Sequence, residues 1–157
     1  MVKKTEKYAI AVVADGHGSA SYFRSSRGSL FATEAAITAI EELLETILSD
    51  KSNMDDFCAS IDKHLIQLER SVIARWHERV EDDYSKNPFL DSEILKVDEK
   101  HKEKYLKGER IEAAYGSTLI AVACTDAFWF GIHIGDGKCI TCDYRGNFAE
   151  PIPWDEK

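Results

Sequence analysis

Proline is scarce in this chain, with three among 157 residues, and glycine is ordinary at nine. That excludes a collagen-like or low-complexity composition. Four cysteines are too few for a disulfide scaffold. No uncharged apolar run approaches the roughly 20 residues that a membrane helix needs; the longest candidate, Ala113 to Thr125, stops at Asp126. Basic charge is also in short supply. Twenty Lys and Arg stand against 28 Asp and Glu, a net charge of −8. Such a surface repels phosphate backbones, so no nucleic-acid partner is expected. The basic start, Met1 to Lys7, leads only into a short apolar run ending at Asp15, which does not read as a signal peptide. A cytoplasmic protein with reduced thiols and no membrane contact is the expectation.

What is present reads as one globular domain, 1–157, with 44% hydrophobic and 31% charged residues. Residues 8–14 are a short, continuously apolar run and predict a buried strand. Small polar residues over 19–27 predict a loop or helix entry. From Ser29 to Leu48 the apolar period is helical, with Leu30, Phe31, Ile37, Ile40, Leu43, Leu44, Ile47 and Leu48 on one face. A second helix is expected over 54–80, capped by Ser52 or Asn53, with a stripe from Met54 and Phe57 through Leu68, Val72 and Trp76 to Val80. His64 and His77 belong to that helix and read as satisfied or solvated.

Residues 82–112 carry charges of both signs and weak periodicity, which predicts a solvated excursion with short helical pieces around 91–105. Consecutive strands follow at 117–125, 127–134 and 138–143, with turns at Asp126-Ala127, Gly135-Asp136-Gly137 and Arg145-Gly146-Asn147. His133 reads as packing, and Asp126 and Asp143 as turn and strand-end residues. Cys139 and Cys142 have a CxxC spacing but no second ligand pair. All four cysteines are expected to be packing residues. The predicted class is α+β, of layered αββα type, with helices stacked on a largely antiparallel sheet.

Chemistry concentrates in Asp15-Gly16-His17-Gly18, directly behind the first strand. A strand that ends on Asp delivers a carboxylate to the end of a sheet. The glycines allow close approach to a ligand, and the histidine adds a proton donor or metal ligand. Gly116-Ser117-Thr118 opens one later strand, and Gly135-Asp136-Gly137 joins two others. Arg24 and Arg27 carry guanidinium groups suited to phosphate, although arginines at a helix entry are expected in solvent.

The three motifs, in this order and with two helices between the first and second, resemble the metal-dependent Ser/Thr phosphatases of the protein phosphatase 2C family. The resemblance spans roughly Tyr8 to Asp143. It implies a β-sandwich flanked by antiparallel helix pairs, a site for two Mg²⁺ or Mn²⁺ ions, and a phosphoprotein substrate. Asp15 would bridge the ions, the carbonyl of Gly16 would serve one of them, and His17 would be the general acid. Asp136 would lie near a further, weaker metal position, and 116–118 would be structural. A catalytically inactive module that binds a protein partner is the alternative.

The resemblance also implies an earlier segment with an Arg and an acidic pair, and later aspartates; Asp155 matches neither later motif. The chain is therefore expected to be a partial or degenerate phosphatase domain. Weak binuclear metal binding and self-association through exposed sheet edges follow from that expectation.

Overall fold

A computed structural model describes residues 1–152. Asp155 lies outside the described residues. Four strands form one antiparallel sheet in the order β1 (Val2–Lys4), β2 (Tyr8–Val13), β3 (Leu119–Thr125), β4 (Trp129–Ile134). The register pairs Ile10 with Ala123 and Ala121 with Ile132. Thus Tyr8, Ile10, Val12, Leu119, Ala121, Ala123, Phe130 and Ile132 share one buried face. The period-2 alternation of β2 and β3 places them there.

Helix α1 (Ser25–Ser49) crosses this inner face and is packed in turn by α2 (Lys51–Ala59) and α3 (Ile61–Lys86). The side of α1 that enters the core is alanine-rich: Ala32, Ala35, Ala36 and Ala39 are buried beside Ile40, Leu44 and Ile47, while the expected face residue Leu30 is exposed. The expected single helix over 54–80 is two helices. Ser60 interrupts it at φ −137°, and its amide still bonds the carbonyls of Asp56 and Phe57. The cap of α2 is Asp50, whose carboxylate accepts from Ser52 N at 2.7 Å, rather than Ser52 or Asn53.

The segment after α3 is not a solvated excursion. It contains α4 (Asp91–Ile94), α5 (Glu99–Leu106) and α6 (Ile111–Ala114). Ile94, Val97, Tyr105, Ala114 and Tyr115 are buried there with Val80 in a second core. Its charged residues lie outside a small apolar centre that the weak periodicity hides. This second core also fixes α1. The Cα of Gly28 passes so close to residue 115 that an added methyl would sit 1.7 Å from the carbonyl oxygen of Tyr115. On the other side, Trp76 Nε1 donates to the carbonyl of Gly28 at 3.0 Å.

The hairpin between β3 and β4 needs no glycine, because Thr125 Oγ1 accepts from the amides of Ala127 and Phe128 at 3.2 and 3.0 Å. The expected third strand is reduced to β5 (Thr141–Cys142), paired with β6 (Phe148–Ala149) around a turn that the Asp143 carboxylate caps. Residues 137–143 run past the outer face of the large sheet, where Ile120 meets Gly137 and a cavity opens between Val122, Trp129 and Ile140. The cysteines are not core residues: Cys58, Cys124 and Cys142 are exposed and Cys139 is half-buried, all as free thiols.

Candidate functional site

The three motifs meet at one end of the large sheet. β2 runs out at Val13, and the chain continues alongside β3 through an isolated antiparallel bridge between Gly16 and Ser117. Two backbone bonds flank this bridge: Thr118 N donates to Asp15 O at 2.8 Å, and His17 N donates to Gly116 O at 3.1 Å. Thr118 Oγ1 also accepts from Asp15 N at 3.3 Å. The Gly-Ser-Thr triplet is therefore the rail on which Asp15-Gly16-His17 is mounted. In this pattern the bridging pair exchanges no bonds of its own, so the amide and carbonyl of Gly16 turn away from Ser117.

Gly16 faces the helix layer. A methyl built on its Cα would meet the carbonyl oxygen of Ser25, the first residue of α1, at 2.7 Å. Only glycine lets the strand end and the helix start approach so closely. The alternation then directs Asp15 away from the helices. Asp15 is exposed, and its carboxylate has no ion pair or hydrogen-bond partner among the described residues. His17 is also exposed, with its ring 4.6 Å from that of Tyr22 and against Gly116.

Thr118 ties in the third motif as well. A methyl on Gly135 would lie 2.9 Å from Thr118 Cγ2, so the turn carrying Asp136 sits on the opposite side of β3 from Asp15. The two aspartates follow β2 and β4 at the same sheet end, on either side of β3. Asp136 is exposed and likewise has no side-chain partner among the described residues. His133 holds a packing position, with Nδ1 3.4 Å from Gly137 O.

Of the two arginines, Arg24 departs from expectation and Arg27 is exposed as expected. Arg24 is only 6% exposed. It pairs bidentately with Glu93 at 2.9 and 3.0 Å, and donates to Asn87 O, Pro88 O and the Tyr115 hydroxyl. Burial alone would depress its pKa, but the bonds with Glu93 and Tyr115 raise it above the ordinary arginine value. Arg27 donates from Nη1 alone to both carboxylate oxygens of Asp83, at 2.9 and 3.0 Å. The Arg24 guanidinium is committed to the protein and is not available to phosphate, whereas Arg27 keeps Nε and Nη2 outside its pair with Asp83.

The oxygen donors at this sheet end are the Asp15 carboxylate, the outward carbonyl of Gly16 and the Asp136 carboxylate. No three His, Cys, Asp or Glu side chains form a closed metal cluster among the described residues. The donors nonetheless suit a hard divalent ion in kind, since Mg²⁺ keeps several waters and takes one or two carboxylates plus substrate phosphate. Thiolates play no part here, because the exposed cysteines lie elsewhere.

A family model described as Protein phosphatase 2C matches residues 1–156. This chain belongs to the protein phosphatase 2C family. No curated protein and no solved structure matches it. The family points to a phosphatase, hence to phosphoprotein substrates, and is generally metal-dependent. Among the described residues, no helix is long and apolar enough to cross a membrane. For this phosphatase-family domain, sequence reasoning missed Tyr22 beside His17 and the Arg24–Glu93–Tyr115–Asp83 cluster behind the site. Tyr22 stood within a small polar stretch, and nothing in its spacing marked it.

Proposed function

We propose that the domain hydrolyses phosphate monoesters of serine and threonine in proteins, using a metal-activated water. The observation that carries this reading is the Asp15 carboxylate, mounted by the Thr118 bonds at the sheet end and left without a partner among the described residues. Next to it, the carbonyl of Gly16 is turned outward and the imidazole of His17 is exposed. A divalent ion, Mg²⁺ or Mn²⁺, held by Asp15 and Gly16 would supply Lewis acidity and an acidified water. Asp136, carried on the far side of β3 from Asp15, suits a separate, weaker position rather than chelation of the same ion.

The protein's own residues then have distinct roles. Asp15 orients the reacting groups through its fixed strand-end position. His17 donates a proton to the departing seryl or threonyl oxygen, which would otherwise leave as a poor alkoxide. Tyr22 restrains the ring of His17. No protein nucleophile is required.

The test is phosphatase activity on a phosphoserine peptide with Mn²⁺, compared with Asp15→Asn. Activity in the unsubstituted protein should fall at least about 100-fold in the variant. The exposed, unpartnered side chain predicts a change in stability within about 0.5 kcal/mol. Activity that survives the substitution, or survives chelation, would reject the reading.

A further inference from the structure

The geometry points to an apolar subsite beside His17 that receives a bulky hydrophobic side chain flanking the phosphorylated residue. This deepens the proposed function and rests on it. A cavity of about 300 Å³ lies between α3 and the sheet end, at the lower bound of ordinary ligand pockets, about 300–1,000 Å³. Its deep wall is made by Val72 and Leu119, each 2% exposed. Trp76 and Ile134 flank it, and Ile73, at 42% exposure, stands at its rim. The indole is not free to swing into the space, because its Nε1 is held by Gly28 O.

The position of the opening identifies the occupant. His17, Gly116 and Ser117 line this cavity, and the same residues form the ladder that mounts Asp15 and Gly16. Asp15 points away from the helices, but His17 follows it by two residues and itself lines the cavity, so a phosphate ester whose leaving oxygen meets His17 has its peptide backbone beside the mouth. The wall offers no charged side chain; only His17 and Ser117 add polar groups, and Ser117 Oγ already donates to Thr118 O at 2.8 Å. An aspartate or lysine placed there would lose water without gaining a partner. A leucine or phenylalanine would bury apolar surface instead.

The test uses phosphoserine-mimetic peptides bearing a non-hydrolysable phosphonate. They carry either leucine or aspartate at the two positions on each side, and binding is read by fluorescence anisotropy in excess Mn²⁺. The leucine peptides should bind at least about tenfold more tightly. With diamagnetic Mg²⁺ in place of Mn²⁺, methyl NMR signals of Val72, Ile73, Leu119 and Ile134 should shift with the leucine peptides alone. Ile73→Arg should reduce the preference to under about twofold, whereas Ile66→Arg, exposed on the same helix but off the cavity, should retain it. Equal binding of the two peptide sets, no binding of either, or binding without shifts at these methyls overturns the subsite. Hydrolysis is measured separately on phosphoserine peptides. A leucine preference without hydrolysis would uphold the subsite and reject the catalytic reading; hydrolysis without a preference would do the reverse.

Discussion

His17 is the candidate side chain whose role separates most cleanly from metal binding, because a general acid matters only when the leaving group needs a proton. A seryl oxygen departs as a strongly basic alkoxide; a p-nitrophenolate departs unaided. His17→Gln should therefore lower turnover of a phosphoserine peptide by about 100- to 10,000-fold. Hydrolysis of p-nitrophenyl phosphate should fall far less. Steady-state kinetics on both substrates checks this, and an equal loss on the two would assign His17 to binding or metal positioning instead. The exposure of the ring, with Tyr22 as its principal neighbour, means that a fold defect would not mimic the result. Asp15 lacks this separability, since its carboxylate would serve every substrate alike.

Among the elements, Arg24 joins the start of α1 to the segment before and within α4, and that junction is where sequence and structure diverge most. Its partners stand 63 to 91 residues away, and an arginine at a helix entry has solvent as its default surroundings. Nothing local marks it for burial. Arg24→Ala would leave Glu93 without its cation and the Asn87 and Pro88 carbonyls without a donor. Breaking a fully buried pair costs about 3–5 kcal/mol, and the partial exposure of Glu93 places this loss at or below the lower end of that range. Urea unfolding should show that loss, and amide exchange over 90–97 should accelerate before the core of α1 does. Protection unchanged in that segment would show that its apolar residues hold it alone. Other elements were legible for local reasons. β2 is a short apolar run, α1 keeps a 3.6-residue period, and Gly135-Asp136-Gly137 is a turn by composition. The break at Ser60 was not legible, because Phe57, Ile61, Leu65 and Leu68 maintain helical spacing straight through it. β1 was not legible either: Val2, Lys3 and Lys4 are all exposed, so only pairing with β2 defines the strand. The Asp15 site was readable because its motif follows a recognisable strand, whereas the cavity beside it draws on α1, α3 and the sheet end together.

At the scale of the whole molecule, one cluster bounds stability at both ends of the pH range. Arg24 holds Glu93 below the ordinary carboxylate value through their hydrogen bonds. Burial works to raise Asp83, but bonds from Tyr115 and Arg27 overcome it and leave it lowered. Carboxylates depressed in the folded state stabilise it above their unfolded values, 4.5 and 3.8. That contribution is lost as pH falls through the folded values. Tyr115 has the opposite sign. Burial, and then its bond to Asp83, push its phenol from 10.0 up to about 12. Its contribution is complete below the unfolded value and is lost as pH rises through the folded one, an increment of about 2–3 kcal/mol. Tyr115→Phe keeps the buried ring, and Asp83 keeps its two bonds from Arg27. The variant should therefore lose some stability at neutral pH yet show a shallower decline between about pH 10 and pH 12. Urea midpoints measured across that interval read the difference between the two proteins, which cancels the lysines that deprotonate in both. Parallel alkaline limbs would mean that the phenol ionises equally easily folded and unfolded, and that the cluster does not couple the second core to global stability.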